Sequence, residues 1–127
     1  MRKKVIKTKK APQAIGPYSQ AVEAGGTLFI SGQIPLDPSS GKVVDGGIRE
    51  QTEQVLKNIE FILSAAGYRK RDVVKSTCLL TNMDDFQEMN EIYGAFYKED
   101  PPTRAAYEVS RLPAGVKIEI ETIAVKG

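Results

Sequence analysis

Two side chains in this sequence could act on a small carboxylate compound. Arg104 follows the rigid entry Pro101-Pro102-Thr103, and Glu119 sits in the alternating run Lys117-Ile118-Glu119-Ile120-Glu121. A guanidinium is a planar fork that grips a carboxylate through two parallel hydrogen bonds, a task lysine performs less well. A glutamate beside it could hold or activate a water. The competing reading is a cross-strand ion pair of Arg104 with Glu119 or Glu121, and spacing alone weighs the two evenly. The chain has no histidine and a single cysteine, Cys78, which removes histidine triads, histidine-based metal sites and cysteine clusters together. Chemistry is therefore expected from Arg, Lys, Glu, Asp, Tyr, Ser and backbone groups, with no metal and no cofactor.

The elements around this pair read as two strands joined by a Pro/Gly turn. In Arg104–Ser110 the residues Ala105, Tyr107 and Val109 share one face, and in the last strand Val116, Ile118 and Ile120 do. Pairing them as a hairpin with apolar face on apolar face puts Arg104 and Glu119 on one surface as diagonal neighbours, roughly 7–8 Å apart.

Further polar candidates lie upstream. Gly16-Pro17 makes a stiff turn that presents Tyr18, either to a ligand or, the reading spacing favours, as a packed ring with a bonded hydroxyl. Ser31-Gly32 closes the apolar run from Thr27 to Ile30, and either ends that strand or lets a ligand approach its backbone closely. Asn90 sits beside the apolar stripe of a helix and could reach an interface. Cys78 lies in a β-branched run and reads as a small core residue rather than a nucleophile.

The remaining pattern gives one domain spanning residues 1–127. A short edge strand over Lys3–Thr8 precedes strands at Gln20–Ala24 and Thr27–Ser31 that bracket the hairpin turn Gly25-Gly26. A helix over Ile48–Ala66 stops at Gly67, a strand covers Val73–Thr81, and a second helix runs from Asn82–Asp84 to about Lys98. Six strands and two one-sided helices make an α+β fold, a mixed six-stranded sheet with both helices on one face. The other face needs a different cover. Ile123 and Val125 turn it apolar near its end, as expected where a second subunit packs.

Composition narrows the partners. The N-terminal Arg2, Lys3, Lys4, Lys7, Lys9 and Lys10 hold a third of the basic residues, leaving 12 basic against 16 acidic residues in the remainder, a net of −4. A mildly acidic body without a basic aromatic stripe gives no support to nucleic-acid binding. No apolar run is long enough to cross a bilayer, so a cytoplasmic protein without a membrane partner is expected.

Several separate blocks, in order, then resemble the reactive intermediate deaminase A (YjgF) family. They are Ala14-Ile15-Gly16-Pro17-Tyr18-Ser19-Gln20, Ile30-Ser31-Gly32-Gln33-Ile34-Pro35, Ala65-Ala66-Gly67, Asn90 with Tyr93, Pro102-Thr103-Arg104, and Val109–Pro113 with Lys117–Glu121. The resemblance implies a chorismate-mutase-like fold in a homotrimer, with sheets facing inward and three clefts between subunits. It implies hydrolysis of reactive 2-imino acids and their enamines (2-iminobutanoate, 2-iminopropanoate) to 2-oxo acids and ammonia. It also matches Arg104 to the carboxylate-binding arginine, Glu119 to the glutamate that positions water, and Tyr18, Ser31, Gly32 and Asn90 to cleft positions. One departure is Ala106, where many members of the family have cysteine.

Two other functions compete with a deaminase. The first is a non-catalytic trimer that binds 2-oxo or amino acids through the same cleft and has a regulatory role. The second is a ribonuclease or translation inhibitor, a label this family has carried, against which the acidic body argues.

Overall fold

The computed structural model describes residues 2–127. Its strands are β1 (Lys4–Ile6), β2 (Ala21–Ala24), β3 (Thr27–Gln33), β4 (Val73–Leu80), β5 (Thr103–Glu108) and β6 (Ile118–Val125), and its helices are α1 (Ile48–Ala65) and α2 (Phe86–Phe96). The strands form one mixed sheet in the order β1-β2-β3-β6-β4-β5. All neighbours are antiparallel except β4 and β5, the pair linked through α2. That is the strand–helix–strand crossover read from the sequence.

Local chemistry explains the elements. Gly25 and Gly26 take φ of +56° and +79°, the left-handed pair that a two-residue turn between β2 and β3 requires. Helix α1 buries Ile48, Val55, Leu56, Ile59, Ile62 and Leu63, a 3–4 residue stripe that lies against β3 and β6. Gly67, in a left-handed conformation, then lets the Tyr68 N–H return to the Leu63 carbonyl at 2.8 Å. Asn82 accepts from the Asp84 N–H at 2.9 Å and starts a single 3-10 turn that leads into α2. Helix α2 stops at Phe96, slightly before the expected end near Lys98.

The sequence-based pairing of the last two strands is wrong. β5 and β6 are not neighbours, because β4 lies between them, parallel to β5 and antiparallel to β6. The crossover through α2 seats β5 on one edge of β4. The nine-residue connection from Val109 to Lys117 then carries the chain past the end of β4 to its other edge. A tight hairpin would have forbidden that step.

The sheet has two unlike faces. Ser76, Cys78 and Leu80 of β4 and Ile118, Ile120, Thr122 and Ala124 of β6 are buried beneath the helices with Leu28 and Ile30 of β3. On the open face Phe29 is 48% exposed, Tyr107 56% and Val125 44%, an apolar surface that a lone domain leaves in water. Among the described residues no helix is long and apolar enough to cross a membrane.

One buried amide ties the segment after β3 to α1. Asn58 is fully buried; its Nδ2 donates to the Leu36 carbonyl at 3.0 Å, and its Oδ1 accepts from Gln54. Asn58→Ala leaves a backbone acceptor unpaired, and urea unfolding is expected to register a loss of about 1–3 kcal/mol. A change below about 0.5 kcal/mol would show that the amide is not holding this loop.

Candidate functional site

The structure sorts the six candidate residues into two groups on different surfaces. Arg104 stands opposite Ser76 in the β4–β5 register. Since Ser76 points into the core beneath the helices, Arg104 emerges on that same side, at the outer edge of the sheet. There α2 meets it with three residues at helical spacing. Arg104 Nη1 donates to Asn90 Oδ1 at 2.6 Å, and its guanidinium carbon lies 5.3 Å from the Phe86 ring centre and 5.0 Å from that of Tyr93. Two aromatic faces and a neutral amide orient the cation without cancelling its charge. Among the described residues no carboxylate lies within ion-pair distance of it. The cross-strand ion pair weighed from the sequence is therefore absent within the chain.

The second group gathers on the open face. Glu119 stands opposite Leu79 of β4 and lines a hollow of about 420 Å³ with Tyr18, Ser31, Gly32, Ile34, Pro113 and Glu121. A bulge in β3 shapes this wall. Ile30 pairs with Thr122 and Gln33 with Ile120, so β3 spends three steps where β6 spends two. The extra residue falls at Ser31-Gly32. The Ser31 N–H donates to the Gln20 carbonyl at 3.0 Å, and its hydroxyl donates to the Ser19 carbonyl at 2.6 Å.

Gly32 is there because Glu119 needs its space. A Cβ at that position would run into the Glu119 carboxylate and come within 2.8 Å of Cδ. Tyr18 is half exposed rather than packed in the core, and its hydroxyl accepts from the Ile15 N–H at 3.3 Å. The phenol ring is thus left to face the hollow. Glu119 is half-buried, and its carboxyl is raised above the ordinary glutamate value, first by desolvation and then by the charge of Glu121.

Arg104 and Glu119 therefore do not share a surface in one chain. The diagonal contact expected from a β5–β6 hairpin is overturned, because β4 intervenes and its register puts the two side chains on opposite faces. What the chain offers is two separate groups, Arg104 with Asn90 beneath α2, and Glu119 with Tyr18, Ser31 and Gly32 on the open face.

Sequence reasoning missed the aromatic cradle, since Phe86 and Tyr93 read as core stripe. The signal available was their i, i+4, i+7 spacing with Asn90. Cys78 is buried as expected, and burial pushes its thiol up to about 11 against the opposing charge of Arg104. It pairs in register with Ala106, so the only thiol sits one strand inward from the position where the resemblance leads one to look for it.

Comparison with known proteins places the chain in a family. The model of the family described as Endoribonuclease L-PSP matches residues 8–126, and the chain belongs to that family, the one its sequence blocks resemble. It is 57% identical over 124 residues to a RutC family protein of Pyrococcus horikoshii, covering 98% of both chains. It is 55% identical over 125 residues to the mouse 2-iminobutanoate/2-iminopropanoate deaminase, covering 98% of this chain and 93% of that one. The crystal structure of RidA from an Antarctic Psychrobacter superposes with a TM-score of 0.94 at 45% identity, covering 97% of this chain and 99% of the other.

Proposed function

We propose that this protein hydrolyses reactive 2-imino acids and their enamines, such as 2-iminobutanoate and 2-iminopropanoate, to 2-oxo acids and ammonia. In this reading Arg104 binds the substrate carboxylate and Glu119 directs water to the imine carbon. The observation that carries it is the pairing of an un-neutralised, cradled arginine with a half-buried glutamate against a glycine bulge. The identity with deaminases named for these substrates supports the same conclusion.

Because the two halves occupy different surfaces, a complete site requires two copies of the chain. Contact between unlike patches is heterologous, and it closes when the rotation brings the last copy back to the first. A homotrimer meeting through the open apolar faces does this, with the Arg104 half of one protomer facing the Glu119 half of the next in each of three clefts. The apolar surface at Phe29, Tyr107 and Val125 would then be covered.

The chemistry asked of the site is modest. An imine hydrolyses unaided in water, so orientation of the carboxylate and of one water supplies the acceleration needed without a covalent intermediate. The direct test couples a threonine dehydratase to this protein in the presence of semicarbazide, which traps free imine. The expected result is 2-oxobutanoate released faster than the trap can intercept its precursor. Release no faster than in buffer, with a 2-oxo acid still bound, would leave a small-molecule binding trimer in place of the enzyme.

A further inference from the structure

Glu121 is the carboxylate in the cleft to which hydrolysis, as described, gives no task. It follows Glu119 by two residues on β6, so both side chains leave the same face of the sheet, and both line the hollow with Tyr18 and Pro113. Neither has a cation within ion-pair distance among the described residues. From β4 the residues opposite them are Leu79 and Thr77, with Lys75 one pair further along, opposite Ile123. From β3 come Gly32 and Ser31, and from the N-terminal loop the phenol of Tyr18. Lys117 precedes Glu119 by two residues, just ahead of the start of β6. In the proposed trimer, Arg104 of the neighbouring protomer would add a positive charge to this cleft.

The reaction requires a group that takes a proton and returns it. Water adds to C2 of the protonated imine, its O–C bond forming as the C=N π pair moves to nitrogen, and the water proton passes to Glu119. Glu119 then delivers that proton to the amino nitrogen of the carbinolamine. The C–N bond breaks with its pair on the departing ammonia, and the hydroxyl closes to C=O as its own proton goes to ammonia, giving a 2-oxo acid and ammonium. A carboxylate of ordinary basicity is poorly matched to the first transfer near neutral pH, whereas a more basic one serves both.

We propose that Glu121 is a positioning residue for this proton transfer: its carboxylate, two residues along β6 from Glu119 and in the same hollow, holds a negative charge beside the water-directing group without itself touching substrate. The proposal rests on Glu119 being the carboxylate that directs water. The raised Glu119 carboxyl, with Glu121 as its second cause after burial, agrees with it. Glu119 works in its ionised form, so activity falls as pH drops through its pKa, and removing the Glu121 charge lowers that pKa and moves the acid limb to lower pH.

The test measures kcat/KM against pH for the full-length protein, with 2-iminobutanoate generated by the dehydratase in competition with semicarbazide. Glu121→Gln is expected to shift the acid limb down by about half a pH unit and to lower kcat by at most about threefold, at little cost in KM. Glu121→Asp keeps the charge and should hold the limb near its original place, while Glu121→Lys should move it further than Gln does. A lowered rate with an unmoved limb in both Gln and Lys variants would overturn the proposal and leave Glu121 a structural residue. If Glu119→Gln retains wild-type turnover, the reading beneath the proposal falls with it. That outcome is distinguishable because it leaves no glutamate-dependent limb to shift.

Discussion

Replacing Arg104 with alanine is expected to lower kcat/KM for 2-iminobutanoate by about a hundredfold to a thousandfold, corresponding to ~3–4 kcal/mol. The guanidinium is pre-oriented between Phe86 and Tyr93 and tied to Asn90 at 2.6 Å, so little side-chain freedom remains to be lost when a carboxylate arrives. Asn90 occupies one Nη1 donor and leaves the rest of the fork free, enough for two parallel hydrogen bonds. Arg104→Lys keeps the charge and loses both the fork and the stacking, and should recover only part of the loss. Most of the effect should fall on KM, since a carboxylate clamp holds ground state and transition state alike. Rates and KM from the semicarbazide competition assay decide it, together with circular dichroism to show that the fold is kept. An Arg104→Ala protein within threefold of wild type would mean that the carboxylate is held elsewhere.

The sequence was legible wherever the determining interaction is local. The Gly25-Gly26 turn and the α1 stripe ending at Gly67 depend on residues a few positions apart and stand in the structure as read, whereas the helix expected from Asn82–Asp84 begins only at Phe86, after a 3-10 turn that Asn82 caps. The crossover from β4 through α2 to β5 was legible too, because a helix between strands constrains their direction. The neighbour of β6 was not. Alternation gives two faces to any strand, but which face is inward depends on the strand beside it, and β6 pairs with β4 and β3, both distant in sequence. A hairpin that pairs apolar face with apolar face turns Tyr107 inward. Tyr107 instead lies on the open face, 56% exposed, where apolar character serves a surface that the proposed assembly would cover. The Ser31-Gly32 pair gave a sequence signal for close approach, yet only the coordinates show that the approaching group is the Glu119 side chain. Tyr18 went against the packed-ring reading for a similar reason: its turn is local, but the space in front of the ring is shaped by β6 and the Pro113 turn.

Mixing two inactive variants should restore activity, and the amount restored reports where the site is built. Glu119→Gln keeps the Arg104 half and should bind carboxylate while losing most of kcat, whereas Arg104→Ala keeps the Glu119 half. If each cleft takes Arg104 from one protomer and Glu119 from the next, equal amounts of the two variants, unfolded and reassembled together, give a wild-type cleft whenever a Glu119→Gln chain presents its arginine to an Arg104→Ala chain. Random assembly around a closed ring makes about one cleft in four intact, so the mixture should reach roughly a quarter of wild-type activity from two preparations that separately have almost none. A site built within one chain has no intact copy in any mixture, and recovery would stay at the level of the parents. The geometry favours recovery, because the β4 register places Arg104 beside Ser76 on the helix-covered side and Glu119 beside Leu79 on the open side. No rotamer of either side chain passes through the sheet that separates them.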